Sequence, residues 1–203
     1  MRLLGNLLIF AGIMLLLFIF SPVAKEYLEF KFDQWRGISY SLDALVDFPQ
    51  SGVKPIVPVD TEFGIVIPKI HLNAEIFPDI DPLDPAIYLP VLKKGVAHAQ
   101  GSSFPGEKGS IFLFGHSTDA FYNVSRYNAV FFLINELEKN DEIDLFFKDR
   151  RYIYKVIDKK IVPPGELKQA VEGVKGDETL ILQTCFPPGT TLKRLLVVAL
   201  RSR

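Results

Sequence analysis

The sequence contains a single cysteine, Cys185, at the end of the apolar run ETLILQTC (178–185). The turn-forming residues FPPG follow it directly. A structural cysteine usually lies among apolar neighbours, whereas a strand end followed by a loop often carries a functional side chain. Position alone therefore leaves two interpretations of Cys185 open, a packing residue and a nucleophile. One cysteine excludes an intramolecular disulfide and a four-cysteine metal site.

Two further side chains could assist a thiol nucleophile. His116 follows the apolar run 110–115, and Arg194 opens the apolar run 194–201, nine residues after Cys185. An imidazole can serve as acid and base toward a thiol, and a guanidinium can stabilise an oxyanion or hold a peptide carbonyl. Taken singly, His116 is more typical of a hydrogen-bonding residue and Arg194 of a surface arginine. Together with Cys185 they form the set that covalent thiol catalysis requires.

The other two histidines are weaker candidates. His71 lies in the turn-like segment IPKIHLNA and His98 in GVAHAQGSS, so surface or capping positions are expected for both. A zinc site formed by Cys185, His116 and His98 is a further hypothesis, but the sequence shows no evident fourth ligand.

Short apolar runs bounded by Pro, Gly and Asn must position these residues, and such runs predict strands. They lie at 63–70, 74–77, 108–116, 178–185 and 194–201, and 141–162 predicts two strands joined at 148–150. The segment 129–137 has apolar residues at i, i+3, i+4 and i+7 and predicts an amphipathic helix. The segment 81–92 predicts one brief helical turn. Many short strands with one or two helices indicate a mostly β fold, a closed or partly closed barrel.

The N-terminal run 3–20 contains no charged residue. Extended through Ala24 as a helix, it would span about 30 Å, the thickness of the hydrocarbon core of a bilayer. Because SPVA (21–24) is a poor cleavage site, we interpret residues 1–24 as an uncleaved transmembrane signal anchor, with a cleaved signal peptide as the alternative. Residues 25–60 are interpreted as a juxtamembrane stalk and Pro-containing linker, and residues 61–203 as the catalytic domain.

The distribution of charge narrows the possible partners. The net charge is −1 with both signs scattered, which gives no electrostatic indication of nucleic-acid binding.

The basic residues beside the apolar run bear on its orientation in a membrane. Arg2 precedes the run, and Lys25, Lys31 and Arg36 follow it. This count weakly favours an orientation with the C-terminal flank inside the cell.

At these residues the sequence resembles the sortase family. The segment ETLILQTCFPPGTTLKRLLVVALR is similar to the family's nucleophile block, a Thr-Leu-x-Thr-Cys strand followed by a short loop and an arginine-bearing strand. The segment GVAHAQGSSFPGEKGSIFLFGHS (95–117) resembles the block that ends in the catalytic histidine, which assigns that role to His116 and not to His98. Gln183 before Thr184, and Ser117 after His116, depart from the family pattern and leave the subclass open.

The resemblance implies an eight-stranded sortase-type β-barrel and a ping-pong transpeptidation. It implies that Cys185 attacks the carbonyl of a sorting motif near the C-terminus of a secreted protein. His116 would act as acid and then as base, Arg194 would hold the substrate and its oxyanion, and Thr184 would help to orient the substrate. The acyl group would pass to an amine of a cell-wall precursor or a pilin lysine.

The resemblance also bears on cofactors and location. Some relatives use calcium, but the sequence has no tight acidic cluster that indicates a calcium site, so no cofactor is expected. Sorting takes place on the outer face of the cell membrane, which implies a single-pass anchor with the catalytic domain outside, against the weak charge count.

Two other functions stay open at this point. A thiol peptidase would share the acyl-enzyme and pass the acyl group to water. A non-enzymatic, anchored β-barrel that binds an envelope component would need neither Cys185 nor its proximity to His116.

Overall fold

The computed structural model describes residues 2–42, 52–117, 129–174 and 176–202. In these residues the strands are β1 (Ser39–Ser41), β2 (Val53–Pro55), β3 (Phe63–Ile67), β4 (Leu72–Ile80), β5 (Val96–Ala99), β6 (Ser110–Phe114), β7 (Glu142–Phe147), β8 (Arg150–Val162), β9 (Thr179–Phe186) and β10 (Lys193–Arg201). The α-helices are α1 (Arg2–Trp35), α2 (Pro85–Leu92) and α3 (Leu167–Glu172). Short 3-10 turns lie at Pro68–Ile70, Ile134–Glu136 and Pro164–Glu166.

Eight of these strands close into a barrel in the order β10-β8-β7-β3-β4-β5-β6-β9. This confirms the predicted mostly β fold and the eight-stranded barrel. Side chains alternate between the two faces of each strand, and most of those that face inward are buried and apolar. On β9 and β10 they include Leu180, Leu182, Leu195 and Val197, all in the main core. The ladder pairs Leu182 with Val197, so the two strands present the same face to the interior.

The predicted amphipathic helix at 129–137 is wrong. The segment forms turns and the 3-10 turn Ile134–Glu136. The fully buried side chains are Phe131, Ile134 and Leu137, which recur every three residues. That spacing matches the three residues per turn of a 3-10 helix, and it places all three side chains in the barrel core.

The predicted helical turn within 81–92 is an eight-residue helix, α2. It begins after Asp84, whose carboxylate accepts a hydrogen bond from the backbone N–H of Ala86 (2.9 Å). Pro85 occupies the first turn, where its missing N–H costs no hydrogen bond. Leu92 at the end of the helix packs with Ala97, Ala99 and Phe114 against the outer face of β5 and β6.

Helix α1 runs without interruption from Arg2 to Trp35, across the predicted boundary between anchor and stalk. Among the described residues, no helix is both long enough and apolar enough to cross a membrane, so the predicted transmembrane helix of residues 1–24 is not found there.

The C-terminal end of α1 contacts the barrel. Phe30 is only 2% exposed and belongs to the main core. The Lys31 ammonium lies 2.8 Å from the Glu136 carboxylate. Beyond the helix, the Tyr40 ring packs on the His71 ring, with 3.6 Å between centroids. Part of the predicted stalk therefore packs on the barrel, while residues 43–51 of that stalk lie outside the described residues.

The two weaker histidine candidates lie in different environments, one at a turn and one in the barrel. His71 follows the 3-10 turn Pro68–Ile70 in a left-handed conformation and its N–H caps that turn, as predicted. The surface or capping position predicted for His98 is wrong, because His98 is fully buried on β5. It pairs with Leu113, a core residue, and so lies inside the barrel.

Candidate active site

Cys185 and Arg194 are direct partners in the antiparallel ladder of β9 and β10. Residues opposite each other in such a ladder project from the same face, with Cβ atoms about 5 Å apart. The next pair, Thr184 with Leu195, faces the core, so Cys185 and Arg194 share the outer face of the barrel. Both side chains are partly exposed. The structure thus brings together two of the three predicted catalytic residues.

His116 lies at the same end of the neighbouring strand. β6 runs parallel to β9, and the last pair of their ladder is Phe114 with Gln183. The Gly115 N–H then donates to the Gln183 carbonyl (3.1 Å). His116 comes two residues after Phe114, and Cys185 two residues after Gln183. Continued past the end of β6, this register places His116 level with Cys185 on β9.

Two hydrogen bonds fix the backbone around His116. The Thr184 hydroxyl donates to the Gly115 carbonyl (2.8 Å), and the Phe131 N–H donates to the His116 carbonyl (2.9 Å). Thr184 is buried, so its hydroxyl faces the interior and not the outer face that carries Cys185. Thr184 therefore links β9 to the residue immediately before His116. The sequence predicted a role for Thr184 in orienting the substrate, and it did not predict this contact.

Gly115 is held by its contact with an aromatic ring. A Cβ atom added at Gly115 would lie 2.8 Å from the Phe131 ring, closer than such atoms normally approach. Phe131 is fully buried in the barrel core. The absence of a side chain at Gly115 lets this ring pack directly behind the segment that presents His116. Sequence reasoning missed Phe131 as a support for the site, although the glycine immediately before the histidine was a signal for a close approach.

The electrostatics of the site act on the thiol in opposite directions. Burial raises the pKa of the Cys185 thiol above its ordinary value, and the positive charge of Arg194 lowers it by a smaller amount. A thiol with a raised pKa is mostly protonated at neutral pH, and the thiolate is the nucleophile. Arg194 alone therefore does not supply the thiolate, and the site needs a base.

The Arg194 guanidinium is held by backbone carbonyls of the β9–β10 loop and of the first residue of β10. Its Nη1 donates to the carbonyls of Thr191 (3.0 Å) and Lys193 (3.1 Å). Its Nε and Nη2 donate to no protein acceptor in the described part of the chain. A guanidinium has five N–H donors, so an anchored Arg194 still offers donors to a substrate oxygen beside Cys185.

His98 cannot share a site with these residues. It lies inside the barrel, where its Nδ1 accepts from the Asp79 N–H (3.3 Å) and its Nε2 lies 3.1 Å from the Ser103 carbonyl. Burial lowers the pKa of His98, which keeps the imidazole neutral. The zinc hypothesis therefore lacks one of its three ligands. Over the residues that the structure describes, no group of three or more His, Cys, Asp or Glu side chains is arranged to hold a metal ion.

Comparison with known proteins gives consistent matches. The model of the sortase domain family matches residues 65–202. The chain is 31% identical over 138 residues to sortase D of Bacillus subtilis (strain 168), an alignment that covers 66% of this chain and 61% of the Bacillus protein. The match therefore spans less than two thirds of that relative's length.

Solved structures agree in fold. Sortase C-1 from Actinomyces oris superposes with a TM-score of 0.58 at 31% identity, covering 71% of this chain and 76% of that one. Sortase A from Corynebacterium diphtheriae superposes with a TM-score of 0.57 at 25% identity, covering 71% and 61% of the two chains.

Proposed function

Because this chain belongs to the sortase family of cysteine transpeptidases, we propose that it cleaves a C-terminal sorting motif of secreted proteins and transfers the acyl group to an amine. The observation that carries the proposal is the direct pairing of Cys185 with Arg194, with His116 two residues beyond the end of the adjacent strand β6. These residues supply a nucleophile, a stabiliser of negative charge and an acid–base group at one end of the barrel.

In the first half of the reaction, neutral His116 takes the proton of the Cys185 thiol, and the resulting thiolate attacks the carbonyl carbon of the scissile peptide bond. Negative charge develops on the carbonyl oxygen, and the free donors of Arg194 stabilise it. His116 in its protonated form gives its proton to the departing amine. The peptide bond breaks, and the acyl group stays on Cys185 as a thioester.

In the second half, His116 is neutral and accepts a proton from the incoming amine. The amine attacks the thioester carbonyl, a second oxyanion forms beside Arg194, and the Cys185 thiolate leaves. An imidazole suits both steps because its ordinary pKa lies near neutrality. The acceptor that we propose is an amine of a cell-wall precursor or a pilin lysine.

We further propose that the chain is a single-pass membrane protein whose barrel lies on the extracellular side. The support is the uncharged run 3–20 and its position in a helix whose far end packs on the barrel through Phe30. Protease treatment of intact cells, followed by detection of the fragment, tests this. Digestion of the barrel in intact cells is expected, and protection of the barrel until lysis would contradict it.

The central experiment exposes the full-length chain to a library of C-terminal peptides and detects protein adducts by mass spectrometry. The wild type is expected to acquire a mass equal to the acyl portion of a cleaved peptide, and Cys185→Ala is expected to acquire none. A wild type that forms no adduct while still binding an envelope component would favour the non-enzymatic barrel.

Adding a small primary amine separates transfer from hydrolysis. A transpeptidase is expected to form the amide of the amine at the expense of the hydrolysed product. Hydrolysed product alone, at a rate that the amine does not change, would identify a thiol peptidase instead. The soluble amine is used so that the result does not depend on the natural acceptor.

A further inference from the structure

A cavity lies at the opposite end of the barrel from Cys185. Its volume is about 500 Å³, within the range of small-molecule sites. Glu178 on its wall immediately precedes β9, and Cys185 lies seven residues further along. At about 3.3 Å per residue, the strand separates the two by roughly 20 Å. The cavity is therefore separate from the proposed acyl-transfer site.

Arg201 on the cavity wall has an incomplete set of partners. Its guanidinium carbon lies 4.7 Å from the centre of the Tyr152 ring and 5.7 Å from that of Tyr154. Its Nε forms an ion pair with the Glu178 carboxylate at 3.8 Å, a distance too long for a hydrogen bond. Its Nη1 is buried and has no hydrogen-bond partner in the described residues. The hydroxyl of the fully buried Tyr154 also has no partner. A buried donor of this kind needs an acceptor.

A second guanidinium lies on the same wall. Arg150 is exposed, and its guanidinium carbon lies 5.5 Å from the centre of the Tyr152 ring. In the described part of the chain, the guanidinium groups of Arg150 and Arg201 donate no hydrogen bond to a protein atom, although that of Arg201 is ion-paired with Glu178. Gly106, with φ +90, packs tightly over the same ring, since a Cβ there would lie 3.0 Å from it. Tyr152 thus supports two guanidinium groups, and that of Arg150 is exposed.

The remaining wall residues set the charge that a ligand must match. Glu107 and Glu178 line the cavity with the two arginines, so its formal charge sums to zero. One Glu107 oxygen accepts from the Phe104 N–H (2.9 Å), which holds that carboxylate in place. Two acidic groups repel a dianion such as phosphate, whereas a ligand with both charges can meet both signs.

We propose that this cavity binds a small zwitterion that carries a carboxylate and an ammonium group, such as an amino acid or a short peptide. The carboxylate lies between the guanidinium groups of Arg150 and Arg201, where planar donors match its geometry. The ammonium group faces Glu107 and Glu178. This site does not depend on the acyl transfer proposed for Cys185.

The first test titrates the full-length chain, purified in detergent, with L-alanyl-L-alanine by isothermal calorimetry. One saturable binding event per chain is expected. The C-terminal amide of the dipeptide and its N-acetyl derivative are each expected to bind at least tenfold more weakly, because each lacks one charge. Absence of saturable binding, or tighter binding of inorganic phosphate than of the dipeptide, would overturn the proposal.

Variants then locate the binding. Arg150→Gln and Arg201→Gln are each expected to weaken dipeptide binding about tenfold, since each removes charge-assisted hydrogen bonds. Arg36→Gln, an exposed arginine beside Phe32, is the matched control and should bind as the wild type does. Arg201 lies partly in the interior, so its variant is first checked for an unchanged melting curve. The exposed Arg150 gives a test without that risk, and wild-type affinity in Arg150→Gln would contradict the proposal.

Discussion

Cys185 and Arg194 are paired directly across the antiparallel ladder of β9 and β10, on the outer face of the barrel. The positive charge of Arg194 opposes the rise in thiol pKa that burial causes. The backbone carbonyls of Thr191 and Lys193 hold the guanidinium in place. A shift of one residue in the ladder would move one partner to the opposite face, so the register itself is part of the proposed site.

Replacing Arg194 should affect both the thiol and the transition state. We expect Arg194→Ala to lower kcat/KM by roughly 100-fold or more, because the proposed oxyanion donor is lost. The thiol pKa should also rise, since the charge that lowers it is removed. The pH profile of iodoacetamide alkylation measures that rise directly. Lys193→Ala, one residue away and exposed, is the matched control and should leave both quantities near wild type. An unchanged alkylation profile in Arg194→Ala would refute the electrostatic contact.

The variant Gly115→Ala should disturb the site because its new side chain would collide with a core residue. The new Cβ would lie 2.8 Å from the buried Phe131 ring, so the ring or the segment that carries His116 must move. We expect a loss of stability of about 1–3 kcal/mol, typical of overpacking, together with reduced acyl-enzyme formation. Chemical denaturation and adduct formation measure the two effects. Gly165→Ala is the control because a Cβ there meets nothing within 4 Å.

The sequence predicted the strands next to the candidate residues better than it predicted what surrounds those residues. Local apolar runs and turn residues were enough to locate β6, β9 and β10, whose ends carry His116, Cys185 and Arg194. The supports of the site come from distant parts of the chain. Thr184 donates to a carbonyl 69 residues earlier in the sequence. Such a contact leaves no local pattern, because its partners meet only when the barrel closes.

His98 is a second residue whose surroundings the local sequence did not predict. Its neighbours are alanines and polar residues, so the local sequence gives no strong sign of a buried strand. Its burial is possible because the backbone N–H of Asp79 and the carbonyl of Ser103 satisfy both ring nitrogens. The first of these partners is 19 residues away. A polar residue can therefore occupy the core where tertiary hydrogen bonds replace water.

The variant Thr184→Val should show whether Thr184 positions His116 or contacts the substrate directly. Valine has nearly the same shape but cannot donate to the Gly115 carbonyl, which would remain buried without this partner. We expect a loss of stability of about 1–3 kcal/mol. If Thr184 acts through the backbone before His116, kcat should fall while KM changes little. Thr184→Ser keeps the hydroxyl and should restore kcat, whereas a rise in KM alone would indicate direct contact with substrate.

Stability should fall in mild acid because of His98. Its pKa is lowered in the folded state, so below the ordinary value near 6.5 the unfolded chain binds a proton that the folded chain does not. The free energy of unfolding should then decrease with falling pH by up to about 1.4 kcal/mol per pH unit for this group. His71, whose pKa is also lowered by burial, contributes in the same direction.

Urea denaturation between pH 7.5 and 5 measures this dependence. His98→Gln should flatten the slope, and His71→Gln should flatten it by a smaller amount because His71 is partly exposed. An equal slope in wild type and His98→Gln would show that other groups account for the acid sensitivity.

Truncation at the predicted domain boundary should weaken the barrel, because Phe30 belongs to its core. We expect a chain that begins at residue 25 to melt close to the full-length protein, and one that begins at residue 61 to melt well below it. Phe30→Ala in the full chain isolates the contact and should cost about 3–5 kcal/mol, as other large-to-small core substitutions do. Phe32→Ala removes an aromatic ring from the same helix that is 52% exposed, so its melting temperature should stay near that of the wild type. Equal losses in the two variants would show that Phe30 is not part of the folded barrel core.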